Sequence, residues 1–412
     1  MNAKLLAEEA LEFGQGILRL APAWVPRAFC RPGRRLKLHP DDYYSLGLKR
    51  GGIDERWFAS TTHAENGPET PGDEGLSYVI VDDASDRRLL LRDAVDELGA
   101  DMIGEALWSK YRGWPMFSKF FDNLGPLPHH VHHREQHAQR VGAHGKPEMY
   151  FFPSQVNSCG GEFPYTFFGL NPGTTREELR RALEGFAAGD NGILGLSRAY
   201  KLTPDTGWDV PPGILHAPGS LCTYEPQFAS DVYAMYQSAL PGDHTVPEEL
   251  LWKNCPVEEI GNFDYLLEVL DWERNVDPDF AKNRFMQPLP CENKTQMLQD
   301  GYCKEWICYR CDQVSAQRLT VLPGRTVTIR DAAAYGFILV EGYGRVGRWN
   351  AETPTMIRFG QITNDEFFVT RTAANRGVVI HNDSRAQPLV MLRHFAENPD
   401  LLLWKNAGIS TQ

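Results

Sequence analysis

The chain contains 412 residues, of which 42% are hydrophobic and 23% are charged, and its formal net charge is −12. No segment approaches the roughly 18 consecutive apolar residues of a transmembrane helix, so we expect a globular protein without a membrane partner. The acidic balance also argues against nucleic acid, because nucleic-acid-binding surfaces are basic. A small-molecule ligand is favoured, and we expect a monomer or a homodimer.

The first element in chain order is a predicted amphipathic helix at the N-terminus. Acidic residues interrupt its apolar residues within the first ten positions, which is unlike a secretory signal peptide. We therefore expect cytoplasmic localisation and reduced thiols at the eight cysteines. Residues 1–32 are assigned to an N-terminal helical arm.

The sequence that follows predicts a mainly β fold. Short apolar or alternating runs are separated by Gly, Pro, Asn and Asp, as in β-barrels and sandwiches. Two regions have helical periodicity instead. The first begins at Thr175, a predicted N-cap with Glu178 three residues later, and ends at Gly189. The second covers about residues 241–290, where helical clusters are broken by prolines.

The predicted organisation is two jelly-roll β-barrels separated by a helical insert. The first barrel is assigned to residues 33–240, the insert to 241–290 and the second barrel to 291–412. The second barrel contains only His381 and His394, outside any metal-binding motif, so we expect a structural role for it.

Three cysteines in "YCKEWICYRC" are candidates for a structural zinc site. They are Cys303, Cys308 and Cys311. The Tyr, Trp and Ile residues between them favour a β-strand instead, on which Cys308 and Cys311 would face opposite sides.

The segment "PLPHHVHHREQHAQRVGAHGKPEMYFFP" contains six histidines and two glutamates. Because side chains alternate along a strand, "HHVHH" would direct His130 and His132 to one face and His129 and His133 to the other. Two imidazoles at this spacing, with Cβ atoms about 7 Å apart, can share a metal. A solvated surface loop is the alternative, since histidine-rich stretches often occur there.

Two further ligands are predicted from separate segments. Glu148 shares a face with Lys146 on the predicted strand "GKPEMYFF". His216 ends a P-x-G-x-x-H element, in which a tight turn delivers a histidine to the start of a strand. The predicted metal ligands are His130, His132, Glu148 and His216. Three imidazoles and one carboxylate suit Zn, Fe(II), Mn or Ni.

Two other histidines of the same segment lie between the ligand strands. His137 and His144 fall in a polar loop, so we expect them at the rim of the site or on the surface.

The H-x-H, glutamate and P-x-G-x-x-H elements, in this order, are the signature motifs of the cupin barrels, which this sequence resembles. From about Gly51 to Met235 the sequence is similar to the type I mannose-6-phosphate isomerases in particular. The matching segments, in the order of that family, are "GGIDERWFASTTHAENG", "WPMFSKFFDNLGPLPHHVHH", "HGKPEMYFF", "FFGLNPGTTREELRRAL" and "DVPPGILHAPGS". The resemblance implies two cupin domains, the second degenerate, and a metal-dependent sugar isomerase.

The resemblance also implies roles for individual residues. The implied metal ligands are His132, Glu148 and His216. Lys146 would lie beside the metal, and Lys119 matches a family lysine on a neighbouring strand. Glu225 matches the family glutamate that follows the second motif and is our candidate general base, with Lys146 as its electrostatic partner and Lys119 as a third catalytic candidate.

The sequence departs from this family at two positions that bear on the metal and the substrate. His130 stands where the family has glutamine, which makes the site richer in imidazole. Met235 stands where the family has an arginine implicated in handling a phosphorylated sugar, and methionine cannot bind an anion. The predicted ligand is therefore a sugar or a sugar phosphate.

The function implied by the resemblance is aldose–ketose isomerisation. The metal would polarise the sugar oxygens while a base moves a proton through an enediolate. Zn is the first candidate metal, with Mn, Fe and Ni as alternatives. Two other functions stay open: a cupin Fe(II) dioxygenase, because such enzymes also use histidines and a glutamate, and a sugar-binding cupin without turnover.

Overall fold

The computed structural model describes residues 2–158, 163–240 and 244–398, and within them the chain is mainly β, as predicted. The α-helices of these ranges are α1 (Ala3–Gly14), α2 (Leu91–Leu98), α3 (Ala100–Ile103), α4 (Glu105–Tyr111), α5 (Glu135–Ala138), α6 (Arg176–Glu184), α7 (Ile193–Leu196), α8 (Phe263–Val269), α9 (Trp272–Asn275), α10 (Phe280–Arg284), α11 (Lys294–Asp300) and α12 (Arg371–Arg376). The strands are β1 (Ile17–Ala21), β2 (Ala23–Arg27), β3 (Gly52–Phe58), β4 (Tyr78–Ile80), β5 (Arg88–Leu90), β6 (Met116–Phe121), β7 (His130–Val131), β8 (Glu148–Phe151), β9 (Tyr165–Leu170), β10 (Ser197–Lys201), β11 (Gly207–Val210), β12 (His216–Ala217), β13 (Thr223–Phe228), β14 (Ala234–Met235), β15 (Ala239–Leu240), β16 (His244–Thr245), β17 (Phe285–Met286), β18 (Leu289–Pro290), β19 (Tyr302–Cys308), β20 (Ser315–Val321), β21 (Thr326–Ile329), β22 (Tyr335–Glu341), β23 (Tyr343–Val346), β24 (Trp349–Glu352), β25 (Glu366–Val369), β26 (Val378–Asn382) and β27 (Leu389–Phe395).

Two antiparallel sheets form the first barrel. One has the strand order β17-β11-β8-β13-β6-β3-β2, and the other has the order β10-β9-β12-β7-β14. Their inner faces meet through aromatic side chains, since Phe168 of β9 lies with its ring centroid 5.8 Å from Tyr150 and 5.1 Å from Trp208 of the facing sheet. Side chains from both sheets can therefore converge inside the barrel.

The second barrel is built from a long sheet and a smaller one. The long sheet runs β18-β19-β20-β27-β22-β25-β1-β4-β5, and the smaller sheet runs β21-β26-β23-β24. The strand expected around the cysteines forms in part as β19, which contains Cys303 and Cys308 but ends before Cys311. Three strands of the long sheet, β1, β4 and β5, come from the first hundred residues of the chain.

The N-terminal segment differs from the predicted helical arm. Helix α1 forms as expected, but Gln15 adopts a left-handed conformation at its C-cap and the chain continues into two strands. Strand β1 pairs with β25 of the second barrel, whereas β2 pairs with β3 of the first. Ile17, Leu18 and Leu20 of "ILRLA" are buried in this sheet, so tertiary pairing determines the conformation after α1.

The helix predicted after Thr175 is confirmed as α6. The Thr175 side chain accepts a hydrogen bond from the backbone N–H of Glu178, and the Glu178 carboxylate accepts one from the Thr175 N–H, which is a complete capping box. The later region rich in helical signals contains α8, α9 and α10, each short. None of the helices in the described part of the chain combines the length and apolar character needed to cross a membrane.

The two barrels contact each other through a buried histidine. His394 of β27 lies with its Nδ1 atom 2.7 Å from Ser118 Oγ of β6 and 3.0 Å from the hydroxyl of Tyr224 on β13. The opposite edge of its ring lies against Gly336. The ring thus fills the space between the barrels, where an additional atom would have no room.

Gly336→Ala is expected to destabilise the protein by about 1–3 kcal/mol, the usual cost of overpacking a core. A Cβ atom at this position would lie 2.5 Å from the Ala59 Cβ and would also collide with the ring of His394. Urea denaturation followed by tryptophan fluorescence would measure the loss. Gly173→Ala is the matched control, because its added Cβ meets no atom within 4 Å. Equal free energies of unfolding for the two variants would contradict the expectation.

His394 is also expected to make the fold sensitive to acid. Burial lowers the pKa of His394 to about 3, whereas an unfolded histidine titrates near about 6.5. Between these values the unfolded chain binds a proton that the folded chain does not, so stability falls as the pH falls. His394→Asn, which keeps a polar atom near Ser118, should reduce the slope of unfolding free energy against pH by up to about 1.4 kcal/mol per unit between pH 4 and 6. Parallel slopes for variant and parent would contradict this.

Candidate active site

The three predicted histidine ligands meet inside the first barrel. His130 of β7 and His216 of β12 are directly paired neighbours in one sheet, and His132 follows β7. One nitrogen from each ring lies within 4.8 Å of the others, and the ring centroids are 4.2 to 5.1 Å apart. All three side chains are buried. This spacing allows one divalent metal ion to bind all three imidazoles.

The outer nitrogen of each imidazole is fixed by the backbone. The acceptors of the Nδ1 atoms of His130, His132 and His216 are the carbonyl oxygens of Pro128, Val232 and Ile214, at 2.7, 2.8 and 2.8 Å. Because a carbonyl oxygen only accepts hydrogen bonds, each Nδ1 carries the proton and each Nε2 presents its lone pair. Imidazoles held in this orientation can each direct Nε2 toward one metal ion.

Glu148 comes from the facing sheet and completes the set. Its carboxylate oxygens lie 3.0 Å from His132 Nε2 and 3.2 Å from His216 Nε2, and the Tyr150 hydroxyl donates to it at 2.6 Å. Burial would raise the pKa of Glu148, but His132 and Lys146 hold it well below its usual value. The ionised carboxylate and the three Nε2 atoms form a donor set that fits a divalent metal.

The three predicted catalytic residues surround the same point. Glu225 of β13 pairs across the sheet with Lys119 of β6, whose Nζ lies 3.3 Å from the Glu225 carboxylate. Lys146 Nζ lies 3.4 Å from Glu225 and 3.0 Å from Glu148. Burial and the neighbouring Glu148 carboxylate raise the pKa of Glu225 to about 8. Burial alone would lower the pKa of Lys146, yet Glu148 and Glu225 outweigh it and raise the pKa.

Sequence analysis missed a second ionic group beside these residues. The Arg27 guanidinium donates to both oxygens of Glu55, at 3.1 and 3.2 Å, and to both oxygens of Asp231 at 3.3 Å. Trp57 Nε1 also donates to Glu55, at 2.6 Å. A signal was available in "AWVPR", where an arginine ends an apolar run that forms the fully buried strand β2. Because this segment was predicted to be a helical arm, its arginine was not assigned to the site.

A cavity opens onto this cluster. Its lining residues are Arg27, Phe29, Glu55, Lys119, Phe121, Leu127, His130, His132, Lys146, Tyr150, Pro218, Glu225, Asp231, Tyr233 and Met235. Met235 lies opposite His130 in the β7–β14 pair, so its thioether borders the metal side of the cavity. The cavity is lined by charged side chains and by aromatic and aliphatic ones.

Three of the other four histidines of the segment are buried, which does not fit the alternative of a solvated surface loop. His129 and His133 are buried on the face away from the three ligands. His137 was expected at the rim, and that expectation is wrong, because α5 forms in the predicted loop and turns the side chain inward until it is 6% exposed and packs against Tyr265. His144 is exposed, as predicted.

The structural neighbours of this chain include mannose-6-phosphate isomerases. No family model and no curated protein sequence matches the chain. The solved structure of a histidine-to-glutamine mutant of phosphomannose isomerase from Salmonella typhimurium has a TM-score of 0.62 at 11% identity, covering 93% of this chain and 100% of that one. Mannose 6-phosphate isomerase from Bacillus subtilis has a TM-score of 0.56 at 15% identity, covering 92% and 99%.

A third neighbour is described as a zinc-bound holo form of mannose 6-phosphate isomerase, with a TM-score of 0.60 at 12% identity, covering 93% of this chain and 100% of that one. At these identities the likeness shows the fold. The expected resemblance in fold to mannose-6-phosphate isomerases, and the mainly β architecture of two barrels, are thereby confirmed.

Proposed function

We propose that this chain is a metal-dependent isomerase that interconverts an aldose and the corresponding ketose through an enediolate. The observation that carries the proposal is the position of Glu225. Its carboxyl group is buried beside the four metal-binding side chains and contacts two lysines that a metal does not need. A site that only bound metal would have no use for these additional groups.

A divalent cation would be held by His130, His132, Glu148 and His216. When bound, it would polarise the carbonyl and hydroxyl oxygens of an open-chain sugar and acidify the hydrogen on the adjacent carbon. Zinc is the first candidate, because zinc takes imidazole and carboxylate ligands and a structural neighbour is described as zinc-bound. Manganese, iron and nickel accept the same donors.

Glu225 is the proposed general base. A carboxyl group whose pKa is raised to about 8 can take a proton from one carbon and return it to the next near neutral pH. Lys146 and Lys119 flank the carboxyl group and would stabilise the negative charge that develops on the sugar oxygens. Arg27 holds Glu55 and Asp231 at the cavity wall, which keeps this arrangement rigid.

The test is isomerisation in deuterated water. The protein, stripped with a chelator and reloaded with zinc or manganese, is incubated with aldoses and ketoses, and products are analysed by NMR. An isomerase forms the partner sugar and incorporates deuterium at the carbon next to the carbonyl. Oxygen consumption with Fe(II) and no interconversion would identify a dioxygenase instead, and binding of sugar without either reaction would identify a binding protein.

A further inference from the structure

We infer that the substrate of this site is an uncharged sugar and not a sugar phosphate, an inference that rests on the isomerase function proposed above. The basis is the charge balance of the cavity. Among the described residues that line it, each cationic side chain is already engaged by carboxylates.

Arg27 is the first of these cations. It is 3% exposed, and its guanidinium is shared between the carboxylates of Glu55 and Asp231 at 3.1 to 3.3 Å. A guanidinium binds a phosphate through the same paired N–H groups that these carboxylates already occupy. The guanidinium of Arg27 therefore has no free pair of N–H groups with which to bind an entering anion.

The two lysines are engaged in the same way. Lys119 lies between Glu55 and Glu225, with its Nζ atom 3.7 and 3.3 Å from their oxygens. Lys146 lies between Glu148 and Glu225 at 3.0 and 3.4 Å. The three cations thus contact four carboxylates. Cations and carboxylates alternate without a break from Glu148, at the metal-binding end, to Asp231.

An entering phosphate would have to compete with this chain. It would approach carboxylates of like charge, or it would draw away a cation and leave a buried carboxylate without its partner. Both outcomes are unfavourable because the charged side chains of the site are buried.

A neutral sugar fits the same surface. Carboxylate oxygens accept hydrogen bonds from hydroxyl groups, and Glu55, Glu225 and Asp231 present several such acceptors to the cavity. The remaining wall consists of uncharged side chains suited to the C–H faces of a sugar. These are Phe29, Phe121, Leu127, Tyr150, Pro218, Tyr233 and Met235.

The first experiment compares free sugars with their terminal phosphates. The metal-loaded protein is assayed with matched pairs of ketohexose and ketohexose 6-phosphate and of pentulose and pentulose 5-phosphate. We expect kcat/KM to be at least about 100-fold higher for the free sugar of the preferred pair. Equal or faster turnover of the phosphate would overturn the inference while leaving the isomerase function intact.

A binding measurement keeps the inference testable if turnover is absent. The metal-loaded parent protein is titrated calorimetrically with a hexitol, a stable analogue of the open-chain sugar, and with the hexitol 6-phosphate. Binding of the free hexitol with an affinity at least about 100-fold higher supports the inference even where the isomerase proposal fails. Tighter binding of the phosphate, or binding of neither compound, overturns it.

Position 235 offers a converse test. Met235→Arg adds a cation at the cavity wall that no carboxylate in the described structure already holds, so the ratio of phosphate to free-sugar turnover or binding should rise at least about tenfold. Met235→Leu is the uncharged control and should keep the parental ratio. An unchanged ratio in the arginine variant, with metal content preserved, would contradict the role assigned to charge balance.

Discussion

Glu148→Gln is expected to weaken binding of a divalent metal by at least about 100-fold, since loss of a supporting group outside the ligand set costs about 10- to 100-fold and Glu148 is itself a proposed ligand. The substitution keeps the size of the side chain but removes the negative charge placed 3.0 and 3.2 Å from the two histidine nitrogens. Competition with a chromophoric chelator gives the affinity, and elemental analysis of the purified variant gives the metal content.

Glu135→Gln is the matched control for this variant. Glu135 lies in the same histidine-rich segment, but its carboxylate is on the surface and contacts the exposed His144. Metal affinity should be unchanged there. Full metal retention by Glu148→Gln, at the affinity of the parent protein, would contradict the proposed ligand set.

Glu225→Gln is expected to lower kcat by about 10²- to 10⁴-fold, the usual contribution of a positioned general base. An amide of the same shape cannot take up a proton, whereas metal binding should persist because Glu225 is not among the proposed ligands. KM should change little, so the loss appears in kcat and in the rate of deuterium exchange into the sugar. Steady-state kinetics and NMR exchange measure the two quantities separately.

The control for this substitution is Glu268→Gln, at an exposed position on the helical segment outside the cavity. Its kinetic constants should match those of the parent. If Glu225→Gln kept full kcat with normal metal content, Glu225 would not be the base, and a neighbouring group would have to carry the proton.

The candidate site follows from sequence more completely than its surroundings do. H-x-H at the end of a strand, a glutamate at the start of the next strand and P-x-G-x-x-H are local patterns, and each places its side chains on or directly beside one strand. His130, His132, Glu148 and His216 consequently converge as expected. The capping box of α6 is also a local pattern, and the start of this helix was predicted from it.

Long-range strand pairing and the burial of charged side chains could not be predicted from such local patterns. Arg27 belongs to a segment expected to be helical, and its strand forms only because β3 is present to pair with it. Likewise, Asp231 carries no motif, and its contact with Arg27 depends on two segments far apart in the chain. His137 was misplaced for a related reason, since the short helix α5 is held by packing against Tyr265. The boundaries proposed for the individual domains stay a prediction.

The mixed origin of the long sheet bears on how the protein is made. Its strand β1 pairs with β25, and β27, close to the end of the described chain, lies in the interior of the same sheet between β20 and β22. On the ribosome, β1 and its early partner β4 therefore emerge long before β25, the other partner of β1, has been synthesised. Closing such a large loop is entropically costly and slow, and the waiting strand edges favour aggregation. Closure of this sheet consequently waits until β25 and β27 have both been made.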